Sequence, residues 1–370
     1  MNGQWLGRYS GTSIGSVMLN IDDLGTYFQG VAYVFDDDKG APATGILIRT
    51  PNKDRQFALR LENLWAIDPR SGNPGNWDEI KQFFPGFVGA SYVDARCSWD
   101  ERSIRLEWKT DTGRAAESEL PRSQAGEPSR LVPLDFGWAG FKDFVAGLRG
   151  RHLFRGQEGG WRLRTTFHRT GRADLLRFGR EDIGSLHRRL SARTRHVFNL
   201  SLPDENGAFY NLVQHHGYPT PLLDWTYSPF VAAFFAYRKI SRAIAAKAEP
   251  INRVRVFMLD ERWRTEVKQV TAADRAFPHF SIAEFIAIEN ERAVPQQSVS
   301  AITNVDDIET YIQSVEKATG TGPYLTAIDL PVSERDAVFN DLTLMGVTAG
   351  SLFPGFDGTC EELKERNFNL

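Results

Sequence analysis

The chain has only two cysteines in 370 residues, Cys97 and Cys360. Two thiols so far apart exclude a disulfide framework and a cysteine metal site. Charge of one sign is also scarce: 44 basic residues against 47 acidic ones leave a formal −3. That balance argues against a protein that binds nucleic acid or membrane over its whole surface. No run of about 18 apolar residues occurs, so nothing reads as a membrane-spanning helix. Met1-Asn2-Gly3-Gln4 lacks the basic and apolar regions of a secretory signal, and the expected location is the cytoplasm. There is no Gly-X-Ser-X-Gly elbow, no Walker-type Gly-Lys-Ser/Thr, and no Gly-X-Gly-X-X-Gly after a strand. Hydrolase, ATPase and Rossmann readings therefore have no motif to rest on.

What is present fits a globular α+β chain, with 41% hydrophobic and 25% charged residues. Its length allows two or three domains, each large enough for a core. Apolar residues alternate at Val17, Leu19 and Ile21, at Phe57, Leu59 and Leu61, and at Ile104, Leu106 and Trp108. Short alternating runs between Gly, Asp and Asn turns predict an N-terminal antiparallel β-barrel or sandwich. Such a barrel can hold a small ligand in its mouth, but side chains more often fill the interior, and filling is the expectation here. Asn73 to Ala90, rich in Gly, Pro and aromatics, reads as a loop with one helical turn that covers one end. From Lys109 to Val132 the composition shifts to Thr, Gly, Arg, Glu, Ser and Pro, the best linker candidate. The expected division is a β-rich domain over 1–128 and an α+β domain over 129–370.

The second part is organised around Gln214 to Ala236, QHHGYPTPLLDWTYSPFVAAFFA. Pro219 and Pro221 deny the chain a helix. Leu222 to Thr226 reads as a buried strand. Ser228 and Pro229 then form a helix start, as N-cap and first helical residue. Phe230, Val231, Phe234 and Phe235 recur at helical spacing, with alanines between them for close packing. Polar side chains delivered to a helix N-terminus offer a place for phosphate; a capped core helix after a polar turn is the plainer reading. His215 and His216 are adjacent and would point apart on an extended segment, and no third ligand stands at zinc spacing, so no metal site is expected.

Upstream, His152-Leu153-Phe154-Arg155-Gly156 reads as a strand. Its arginine can present a planar fork to phosphate or carboxylate, and Gly156 permits a bend or a close ligand. Between Arg149 and Arg195 stand thirteen arginines against four acids. This basic stretch would suit a pyrophosphate, an acidic peptide or a nucleic acid. Downstream, Arg292 to Val299 reads as extended, carrying the amides of Gln296 and Gln297. Ser333 with Asp336 has the form of a capping box before a helix that Gly346 ends.

Phe154-Arg155-Gly156 together with the Gln214 to Ala236 motif resembles the FRG domain, a bacterial family named for that triplet. Arg292, Gln296-Gln297 and Ser351 to Gly358 add to the resemblance, which covers roughly residues 135 to 368. Members often occur in phage-defence settings, so the resemblance implies an anti-phage effector with a phage or host protein as target. The element order is also similar to the ADP-ribosyltransferase fold. That similarity implies NAD as substrate, with Arg155 on its phosphates and Thr226 or Ser228 ordering the nicotinamide ribose. Gln297 stands where a catalytic glutamate belongs, and a glutamine supplies no charge to an oxocarbenium. The implied catalytic set is Arg155, Ser228 and Gln297. The implied nucleotide-binding set is Arg155, Gly156, His215, Asp224, Thr226, Ser228 and Gln296. The alternatives are a catalytically silent module that binds a nucleotide or phage component, and a protein-interaction scaffold.

Overall fold

The computed structural model describes residues 1–368. Nine strands form the first sheet: β1 (Gly3–Gly11), β2 (Gly15–Asp23), β3 (Phe28–Asp36), β4 (Thr44–Arg49), β5 (Gln56–Leu61), β6 (Leu64–Ala66), β7 (Val93–Trp99), β8 (Ser103–Thr110) and β9 (Ala115–Pro121). Their order is β5-β7-β8-β9-β1-β2-β3-β4-β6, antiparallel throughout. β5 returns against β4, near the far end of that order, and the sheet curls into a nearly closed barrel.

Alternation sends Trp5, Val17, Leu19, Phe28, Ile46, Ile104 and Leu120 inward, as the sequence pattern requires. The interior is not filled, however: apolar side chains surround a cavity of about 540 Å³, which corrects the expectation of a packed barrel. Trp77–Ile80 is the one turn of helix expected between Asn73 and Ala90, and Trp77, Phe87 and Val88 line that cavity. The linker reading of 109–121 is overturned. β9 runs through it and joins β8 to β1, its inward positions being small or polar (Ala116, Ser118) apart from Leu120.

Between Pro121 and Leu134 the chain passes to a second sheet. Its strands are β10 (Leu134–Asp135), β11 (His152–Gln157), β12 (Leu222–Thr226), β13 (Arg253–Asp260), β14 (Phe280–Ala283), β15 (Ser298–Thr303) and β16 (Leu325–Pro331). They lie in the order β10-β16-β13-β11-β12-β15-β14, and only β10 and β16 run parallel. The helix Pro229–Tyr237 packs on one face with Phe154, Val256 and Ile328. The other face carries Leu153, Trp225, Phe257 and Trp263 under the helix Ile308–Thr319.

Three local expectations are corrected. Residues 291–297 are turns rather than an extended segment, and Gln297 takes φ 45°. His215 ends the helix Pro203–His215 instead of lying on an extended chain. Ser333 makes no capping box, because Val332–Glu334 is a 3₁₀ turn leading into Arg335–Leu344. Gly346, at φ 77°, takes the left-handed conformation that follows the end of that helix.

The two sheets are joined by buried polar contacts. The Gln4 amide donates to the Asn304 carbonyl at 2.6 Å, and its oxygen accepts from the Asp306 N–H at 2.9 Å. The buried Asp22 carboxylate accepts from the N–H groups of Ala173 and Asp174 and from Arg172. No helix among the described residues is long and apolar enough to cross a membrane.

Candidate functional site

The Phe-Arg-Gly triplet divides its work between the two faces of β11. Phe154 enters the core beneath the helix Pro229–Tyr237. Gly156 brings that helix down onto the strand: a Cβ there would stand 1.9 Å from the Ala232 carbonyl oxygen. The helix backbone therefore requires a glycine here. Arg155, between them, lines a cavity of about 550 Å³.

Arg155 is half-buried. Its Nη1 donates to the backbone carbonyl of Asp224 at 2.6 Å, and its shielded Nε has no partner among the described residues. Burial pushes its guanidinium down to about 10, against the pull of the Asp224 charge. The Asp224 carboxylate is held elsewhere, accepting from the Gln214 amide at 2.6 Å, and Gln214 in turn accepts from the Thr220 hydroxyl. Arg155 thus meets Asp224 through the main chain and not through an ion pair with its carboxylate. The reason is register: Asp224 pairs with Ser300 in the ladder, and Gln214, at the end of the helix Pro203–His215, reaches its side chain.

Other cations surround the same space. Arg162 pairs with Asp307, Arg164 with Asp306, and Lys239 with Glu158. Arg169, at the exposed rim, donates twice to the Arg164 carbonyl, at 2.8 and 3.1 Å. Arg292 lies over the Phe353 ring, 5.3 Å from its centroid. Arg155, Arg169 and Arg292 have no carboxylate partner among the described residues. His215 also lines the cavity, and burial, Arg292 and His216 lower its pKa despite Asp224. Trp161, Phe235 and Phe353 supply aromatic walls.

Of the residues singled out from sequence, Arg155, Gly156, His215, Asp224, Thr226 and Gln296 line this cavity; Ser228 and Gln297 do not. The Ser228 hydroxyl caps its helix, accepting from the Val231 N–H at 3.2 Å. The exposed Gln297 borders a separate depression with Tyr227 and Pro229. Thr226 and Gln296 are committed to structure. The Thr226 hydroxyl donates to the Gln296 carbonyl at 2.7 Å and accepts from the Ser228 N–H at 3.0 Å. The Gln296 amide donates to the Leu352 carbonyl at 2.9 Å. Trp225 is 2% exposed, and its indole N–H has no partner among the described residues. Arg169 and Phe353 were not singled out in sequence. Nothing marks Arg169 among its neighbouring arginines, and Phe353 lies more than a hundred residues from the central motif.

No curated protein and no solved structure matches the chain. The family model of the FRG domain matches residues 150–244, which hold β11, β12 and the helix between Ser228 and Arg238. Residues 291–297 and 351–358 lie beyond the match. On that match, and on the geometry that gives each residue of the triplet its place, the chain carries an FRG domain.

Proposed function

We propose that the FRG cavity binds a nucleotide through its phosphates, with NAD as the first candidate. The observation that carries this reading is the set of three guanidiniums, Arg155, Arg169 and Arg292, bordering one cavity without a carboxylate partner among the described residues. An unpaired charge in a partly dehydrated site is costly. A diphosphate would relieve it with bidentate, charge-assisted bonds, including one to the unpartnered Arg155 Nε. The cavity volume falls in the range of small-molecule sites, and the aromatic walls suit a base or nicotinamide ring.

Transfer of ADP-ribose, or cleavage of NAD, requires charge to stabilise an oxocarbenium. Gln297 lies away from the cavity and Gln296 is tied to the Leu352 carbonyl. Asp224 is the cavity carboxylate that bears no ion pair, so any such chemistry rests on it. A second reading, a binding module without catalysis, is favoured by the structural bonds that occupy Thr226, Ser228 and Gln296. Calorimetric titration of the full chain with NAD and with ADP-ribose tests binding, and chromatographic detection of nicotinamide separates enzyme from module. Binding without nicotinamide release supports the module; release that Asp224→Asn abolishes supports the enzyme. The anti-phage role and a phage or host target are supported by the family resemblance alone.

A further inference from the structure

The barrel cavity is unlike the arginine-lined one. Val17, Leu19, Ile46, Phe57, Leu106 and Trp108 wall it, and its floor carries the small side chain of Ala32. At about 540 Å³ it is several times the ~150 Å³ apolar cavity that accommodates a benzene. Protein interiors otherwise pack as densely as organic crystals. A volume of this size lined by apolar side chains, in a barrel whose strands keep regular register, has room for a ligand.

Register shows which end opens. Tyr9 pairs with Gly15, Val34 with Thr44 and Lys109 with Ala115, so the β1–β2, β3–β4 and β8–β9 turns lie at one end. Thr12, Asp36 and Thr112 from those turns border the cavity there, with Phe87 and the exposed Val88. Trp5, Phe28 and Leu120 are buried in the barrel core toward the opposite end of their strands. At the mouth the Asp36 carboxylate accepts from the Ser13 hydroxyl and the Asp38 N–H. Arg114 lies 4.6 Å over the Phe87 ring and has no carboxylate partner among the described residues.

An apolar shaft under a single unpaired guanidinium defines the ligand. We infer that the N-terminal barrel binds a long-chain carboxylate, its acyl chain in the shaft and its head at Arg114. Burial of the chain supplies the affinity, and the guanidinium selects the head. Neither the FRG family match nor the nucleotide reading involves this site.

The test uses the full chain, palmitate, and hexadecanol as the uncharged control, followed by displacement of a fluorescent apolar dye. Wild type is expected to bind one palmitate per chain. Ala32→Phe fills the floor, and Ala95→Trp fills the wall from β7 should the first variant misfold; each is expected to weaken palmitate about tenfold or more. Arg114→Leu is expected to weaken palmitate by a similar factor and leave hexadecanol unchanged. Absence of saturable palmitate binding, or binding that both filling variants retain, would overturn the proposal. Equal loss of palmitate and hexadecanol in Arg114→Leu would overturn the assignment of the head.

Discussion

Gly156 on β11 lies directly beneath the Ala232 carbonyl of the helix Pro229–Tyr237, with no room between them for a side chain. A Cβ on Gly156 would lie 1.9 Å from the Ala232 oxygen and 2.6 Å from the Ala236 nitrogen, both main-chain atoms that cannot swing aside. Gly156→Ala must therefore push the helix Pro229–Tyr237 off β11, at a cost of about 3 kcal/mol. Urea unfolding measures it, and an unchanged midpoint would refute the account of the triplet.

Gln4 tests the junction between the sheets. It is 5% exposed and bonds Asn20, the Asn304 carbonyl and the Asp306 N–H. Asp306 in turn pairs with Arg164 at the cavity edge. Gln4→Leu keeps the shape but leaves those groups unpaired, which should cost about 1–3 kcal/mol. A loss below a few tenths of that, by the same unfolding experiment, would show that water serves these groups equally well.

Much of this architecture is legible in the sequence, for physical reasons. Alternating Val17, Leu19 and Ile21 can bury only one face as a strand. Ser228-Pro229 can only begin a helix well, and the Ser228 hydroxyl does cap it. β9 was hidden because a strand with Ala116 and Ser118 facing inward looks like linker. The Gln296-Gln297 segment misleads in another way. Pro295 and apolar neighbours look extended, yet the chain turns there and Gln297 adopts a left-handed conformation that sequence does not signal. That Arg155 and Arg292 border one cavity depends on strand order, which no local pattern encodes.

Acid should destabilise the protein. His168 and His279, buried with their pKa values lowered to about 4, are forced neutral by burial. Their folded values lie below the unfolded 6.5, so the stability they contribute is present above pH 6.5 and lost as pH falls through about 4. Asp174 acts oppositely: burial raises it to about 6, so its contribution is present below 3.8 and lost as pH rises through about 6. Two histidine shifts outweigh one aspartate shift over this window. Chemical unfolding at neutral pH and near pH 4.5 should show the lower stability in acid, with a shallower slope in His168→Gln. A rise in stability on acidification would contradict the assignment.

Trp225 joins the core of one sheet face to the cavity wall. Trp225→Ala should cost about 3–5 kcal/mol. Trp225→Phe keeps one aromatic ring and removes the pyrrole half of the indole, whose N–H has no partner among the described residues, so it should cost less, about 1–2 kcal/mol, through the smaller cavity it leaves. Equal losses for the two variants would mean that the N–H is bonded after all.

The central claim is that Arg155 grips a nucleotide phosphate, and it is tested most directly by calorimetric titration of wild type and Arg155→Lys with NAD. Lysine keeps the charge and loses the fork. The account predicts saturable binding to wild type and about tenfold weaker binding to Arg155→Lys, with the melting temperature of the two free proteins alike. No heat of binding in wild type, or equal affinity in both proteins, would contradict it.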